Sequence, residues 1–130
     1  MPLKDAEWKT AYTAIATKLS ATPGSSDGTA VEIETKNAVA VEFRLGAVSF
    51  VAATKIYIGL KTGDASSTTK WKNVNRRNGS RVKWPVASVG DGTEPFPTRS
   101  HILKVDPWLD ATDNDATCTI QYRRIYPNRI

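Results

Sequence analysis

The chemistry this sequence can offer is confined to few residues. His101 is the only histidine and Cys118 the only cysteine. Both fall in stretches of strand composition, where they could meet as a thiol–imidazole nucleophile. Alternation puts His101 on the face of Leu103 and Val105, the setting of a packed histidine rather than a catalyst, and turns Ser100 to the opposite face. The segment DPWLDATDND (106–115) supplies four aspartates, Asp106, Asp110, Asp113 and Asp115, and no cation. Carboxylates at 110, 113 and 115 are oxygen ligands of the kind calcium takes. Their spacing is not that of an EF-hand, and no glycine stands where its sharp turn is made, so the segment reads as a solvated acidic turn. No glycine-rich phosphate loop, zinc-protease helix or cysteine pair occurs. The sequence therefore predicts no catalytic site, no metal, no cofactor and a non-enzymatic protein.

The most informative stretch is KWKNVNRRNGSRVKW (70–84). It holds Lys70, Lys72, Arg76, Arg77, Arg81 and Lys83 with no acidic residue, six of the 18 lysines and arginines that set a net charge of +5. Asn78-Gly79 is a strong two-residue turn signal, which also explains the Asn78-Gly79-Ser80 sequon without invoking glycosylation. That turn predicts a hairpin with Arg76 opposite Arg81 and Val74 opposite Lys83. Alternation then gathers Trp71, Asn73, Asn75, Val82, Trp84 and Val86 on an inward face, and Lys70, Lys72, Arg76, Arg81 and Lys83 on an outward one.

Charged ribbons commonly serve solubility and guard a sheet edge from aggregation. Arg76 facing Arg81 would cost roughly a few tenths of a kcal/mol, which a bound anion would offset. With the hairpin tryptophans predicted inward, base stacking is disfavoured, and nucleic acid is left with sequence-independent phosphate contact. A protein anion has internal support: the basic hairpin of one copy could meet the acidic loop of Asp106, Asp110, Asp113 and Asp115 on the next, giving a head-to-tail homo-oligomer. Trp108 and Phe96, both in loops, could stack on a sugar, although plugging the end of a sandwich is the more ordinary use of such rings.

Elements must position these groups. Trp8, Tyr12, Ile15 and Leu19 recur at helical spacing, so residues 5–20 are expected to form an amphipathic helix capped by Asp5. SATPGSSDGT ends it, and residues 21–29 form a linker loop. From 30 the period changes to two: AVEIET (30–35), AVAVEFRLG (38–46) and TKIYIGLK (54–61) read as half-buried strands, and AVSFVA (47–52) as a buried one after a bend at Gly46. RSHILKV (99–105) and ATCTIQYRRIY (116–126) resume strand composition, while VDPWLD (105–110) reads as a one-turn helix with Asp106 as cap. The expectation is a mainly β, antiparallel two-sheet sandwich of jelly-roll or immunoglobulin-like kind over 30–126, preceded by one N-terminal helix and followed by a tail at 127–130.

A chain of 130 residues with 40% hydrophobic and 24% charged residues has the makeup of a single globular domain. One cysteine excludes an intramolecular disulfide or a thiolate cluster and suits a reducing compartment. No apolar run approaches the roughly 20 residues of a membrane span, and MPLKDAEWKT lacks the apolar core of a signal peptide, so cytoplasmic synthesis and no membrane partner are expected.

Size, an N-terminal helix, the strand-rich body from 30 to 126 and the missing catalytic motif together resemble the small jelly-roll or sandwich cement (decoration) proteins of tailed bacteriophage capsids. The resemblance implies a virion subunit, assembled in the host cytoplasm, that clamps neighbouring capsid subunits. Its partners would be copies of itself and other structural proteins, met through the hairpin, the N-terminal arm or the tail IYPNRI (125–130). Beside this stands the reading of a sandwich module that binds a polyanion or a carbohydrate.

Overall fold

The structure, a computed structural model, describes residues 3–14, 19–24, 29–64, 67–98 and 102–127. In chain order the strands are β1 (Leu3–Lys4), β2 (Lys9–Ala14), β3 (Thr29–Ala30), β4 (Ile33–Glu34), β5 (Ala40–Ser49), β6 (Ile56–Asp64), β7 (Ser67–Asn73), β8 (Lys83–Val86), β9 (Phe96–Pro97), β10 (Ile102–Val105), β11 (Trp108–Leu109) and β12 (Thr117–Tyr126). The first sheet runs β3-β2-β12-β5-β9, with β1 also on β12. The second runs β11-β6-β10-β4, with β7 and β8 also on β6. Every pairing is antiparallel, so the expected mainly β, two-sheet architecture is present.

Alternation explains how the layers close. Val41, Phe43 and Leu45 of β5, Ile56, Ile58 and Leu60 of β6, and Cys118, Ile120 and Tyr122 of β12 are buried in one cluster between the sheets. Each large side chain removed from water there contributes about 1.5–3 kcal/mol. The bend expected at Gly46 is a bulge: β12 pairs Thr119 with Ala47 and Ile120 with Leu45, which leaves Gly46 unpaired while β5 continues to Ser49. The run 47–52 is not the buried strand expected: within β5 Ala47 and Ser49 are exposed and Val48 is half-buried, and beyond it Phe50 is half-buried and Val51 exposed.

Two expected helices are strands. Lys9–Ala14 forms β2 on the edge of β12, with Tyr12 opposite Ile120, and residues 15–18 lie outside the described residues. The helical spacing of Trp8 and Tyr12 loses to tertiary context: threonine and tyrosine suit a strand, and pairing with β12 buries Tyr12. Asp5 caps no helix; its carboxylate accepts from the backbone N–H of Arg124 at 2.9 Å and from Arg124 Nε at 2.9 Å. The turn of helix expected over 105–110 is replaced by the end of β10 and by β11, because Asp106 N–H donates to the Gly59 carbonyl at 2.8 Å and Trp108 and Leu109 pair with β6.

Candidate functional site

The basic stretch does form a hairpin, one residue out of the expected register. Gly79 N–H donates to the Arg76 carbonyl at 2.9 Å and Arg76 N–H to the Ser80 carbonyl at 2.7 Å. Gly79 has φ of +87°, so the loop is a four-residue turn closed by a glycine bulge. Asn75 therefore bridges Arg81, and Val82 N–H reaches the Val74 carbonyl at 2.9 Å. A one-residue slip moves side chains to the other face. Arg76 no longer opposes Arg81, so the like-charge argument for a bound anion at that pair falls away.

The slip also re-sorts the ribbon. Val82, Trp84 and Val86 are buried inward as expected. Lys72 and Arg76, expected outside, share the backbone parity of Val74; both are exposed, and the Arg76 guanidinium lies 5.9 Å from the Trp84 ring. Trp71, expected inward, is outward. Asn73 pairs with Lys61 and Lys72 with Thr62, so Trp71 stands over Gly63, where a Cβ would come within 3.2 Å of its indole. Lys70 lies in β7, and Arg77 is exposed at the turn.

The outer face of the second sheet is built on β6. Ile56, Ile58 and Leu60 point to the core, so Tyr57, Gly59, Lys61 and Gly63 point away from it. Register brings Lys83 beside Gly59, Pro85 and Trp108 beside Tyr57, and Lys104 beside Lys61. The rings and cations of this face touch. Tyr57 stacks on Trp108 with centroids 5.5 Å apart, and Lys83 and Lys55 lie 5.1 and 5.6 Å from the Tyr57 ring. Arg81 lies 5.0 Å from Trp108, and Lys104 4.5 Å from Trp71. A depression of about 170 Å³ opens between Trp71, Lys61, Lys104 and Asp106 on this face and Tyr12 and Ala30 of the first sheet.

The four aspartates do not form a free acidic surface. Asp106 is buried and accepts from Arg81 Nη2, with Lys61 Nζ 3.9 Å away. Asp110 accepts from the Thr54 and Lys55 N–H groups at 2.9 and 3.2 Å and from the Thr54 hydroxyl. Asp113 Oδ2 accepts from the N–H groups of Val51, Ala52 and Ala53 at 2.8, 2.8 and 2.9 Å, and its Oδ1 from Asp115 N–H at 3.1 Å. The Ala53 N–H leads these bonds in holding its carboxyl at about 2, against the opposing effect of desolvation. Asp106 and Asp113 are buried, while Asp110 and Asp115 are exposed, with Asp110 engaged by Thr54 and Lys55.

Among the remaining candidates, Cys118, Phe96 and Trp108 are packed into the body of the protein. Cys118 is buried in β12, and desolvation pushes its thiol up to about 12, which makes it a poor nucleophile; His101 lies outside the described residues. Phe96 is half-buried edge-on to Trp84, with centroids 5.6 Å apart, and Trp108 lies under Arg81 and against Tyr57. Neither presents the free ring a sugar platform needs. Sequence reasoning missed Tyr57, Lys61 and Lys104 as members of one surface. The signal was there in the alternation of IYIGLKTG with glycines at 59 and 63, but the partner strands lie far along the chain. No family model, curated protein or solved structure matches the chain, so geometry alone carries the functional reading.

Proposed function

We propose that this chain is a non-enzymatic sandwich module that binds a polyanion on the outer face of its second sheet. One observation carries the reading: Lys55, Lys61, Arg81, Lys83 and Lys104 converge on a face holding Tyr57, Trp71 and Trp108, and the carboxylate set among them, Asp106, is already engaged by Arg81. Cations clustered on a flat surface raise the local anion concentration and bind phosphate or sulfate with strong salt dependence. Arg77, exposed at the hairpin turn, extends the positive field.

The test is binding of fluorescently labelled heparin at low and high salt. Lys83→Glu combined with Lys104→Glu, at two cations outside any described ion pair, should lower affinity at least roughly tenfold. An affinity the same as that of the parent chain would sink the reading.

A second reading, a structural virion subunit of the cement type assembled in the host cytoplasm, is favoured by a different surface. Leu3 pairs with Tyr126, and Val39 N–H donates to the Ile125 carbonyl at 2.8 Å. Leu3 and Val39 are 50% and 47% exposed, and Leu3, Asn37, Tyr126 and Pro127 line a broad depression. Apolar side chains left open together suit contact with a neighbouring subunit. The nesting of β5–β12 in one sheet and β6–β10 in the other supports the jelly-roll form over the immunoglobulin-like one. Under this reading the contacts run through the apolar patch and the hairpin, not through the acidic loop. Light scattering of Leu3→Lys with Val39→Lys against the parent chain tests it; an assembly that persists in the variant would count against it.

A further inference from the structure

We infer that the polyanion is single-stranded nucleic acid, with a base stacked at Trp71 and the adjoining phosphates held by Lys61 and Lys104. The inference rests on the polyanion reading above and adds the ligand class.

Its basis is the mixture of groups at one end of the face. The Trp71 indole lies over Gly63, where a Cβ would crowd Cε3 and Cζ3 of the ring at 3.2 and 3.3 Å and meet Ile102 Cδ1 at 3.4 Å. The glycine thus lets the indole lie down against the sheet instead of standing off it. The ring is half-buried, so part of its surface remains open to solvent. Beside it the depression of about 170 Å³ is bounded by Lys61 and Lys104. Lys104 Nζ sits 4.5 Å from the ring centroid, on a flexible four-carbon stem that can swing aside to a phosphate. Lys61 is held only loosely by Asp106, at 3.9 Å, while Arg81 supplies that carboxylate with its close partner. Both lysines can therefore turn to an arriving anion without leaving Asp106 unpaired.

The rest of the face continues the same alternation of ring and cation. Tyr57, six residues from Gly63 along β6, is about 20 Å away at the rise of a strand, a distance that a few nucleotides span. Lys83 lies between the two ends, opposite Gly59 and 5.1 Å from the Tyr57 ring.

Three polyanion classes make different use of such a surface. A duplex offers phosphates but keeps its base faces stacked inside, so an indole among lysines is wasted on it. A sulfated glycan would satisfy the lysines, but sugar hydroxyls are held by amides and free carboxylates, and the carboxylate here is bonded to Arg81. A single strand uses both components, phosphates on the lysines and a base on the ring, with little sequence preference because every base has a π face.

The experiment measures affinity for labelled oligothymidylate, oligouridylate, a DNA duplex and heparin at one salt concentration, for the parent chain, Trp71→Ala, Trp71→Phe and Lys104→Gln. The two single-stranded probes should bind more tightly than the duplex. Trp71→Ala should lose roughly 5- to 150-fold on single strands, the range for one stacked base, while heparin binding stays within about twofold. Should Trp71→Ala fail to fold, Trp71→Phe keeps a ring over Gly63 and should show a smaller loss confined to the single strands. A Trp71 effect equal on all four probes, or absent from all, overturns this inference and leaves the polyanion reading standing. Failure of every probe to bind the parent chain overturns both.

Discussion

Arg81 and Asp106 are bonded to each other within one chain, Nη2 donating to Oδ2, with side chains 16% and 8% exposed. The hairpin and the acidic segment were complementary on paper as surfaces of different copies; the fold satisfies part of that complementarity internally. Truncating one member of a buried pair leaves the other charge stranded. Arg81→Ala should therefore cost about 3 kcal/mol in urea unfolding, moderated by Lys61 nearby. Arg76→Ala and Arg77→Ala, at exposed positions, should stay within about 0.5 kcal/mol. Equal effects at 76 and 81 would show that the Asp106 bond contributes nothing to stability.

Gly59 fixes the middle of the outer face in another way. A Cβ at this position would lie 2.5 Å from Cζ3 of Trp108 and 2.9 Å from the Asp106 carbonyl oxygen. The second neighbour is backbone and cannot swing aside, so the ring or the β10–β11 connection must move. Gly59→Ala should lower stability by about 1–3 kcal/mol, the range for overpacking. Because Trp108 is stacked on Tyr57, the change should also alter the near-ultraviolet circular dichroism of the aromatic residues. A variant with parental stability and an unchanged spectrum would show that the contact relaxes freely.

Period-two alternation made the layers legible. Val41, Phe43, Leu45, Ile56, Ile58 and Leu60 are core residues as their spacing requires, and β12 falls where ATCTIQYRRIY places it. Register was not legible, because Asn-Gly serves both a two-residue turn and a longer loop closed by a glycine bulge. The shorter turn puts Trp71 on the inner face, whereas the bulged loop turns it to the outer one over Gly63. The N-terminal strand was hidden for a related reason: the partner that makes Lys9–Ala14 a strand is β12, more than a hundred residues away, and local spacing carries no trace of it. The candidate face is composite in the same sense, with Trp71, Lys83 and Lys104 each meeting β6 from a different strand.

Asp113 ties two distant loops together, and protonation should untie them. Its carboxylate collects three successive N–H groups from Val51, Ala52 and Ala53, donors that lack other described partners and that a neutral acid would satisfy poorly. The folded-state value is about 2, below the ordinary 3.8, chiefly through the Ala53 N–H. A depressed carboxyl stabilises the fold fully above its unfolded value, and that contribution disappears as pH falls through the folded one. The thermal midpoint should therefore decline between pH 4 and pH 2. Asp5, Asp91 and Asp110 are shifted in the same direction, so the whole slope does not belong to one group. The informative quantity is the difference between the parent chain and Asp113→Asn. At pH 7 the variant should melt at a lower temperature, and the gap between the two should close as pH approaches 2. A gap that stays constant across this range would mean that Asp113 acts through shape alone and that its charge contributes nothing to holding residues 51–53.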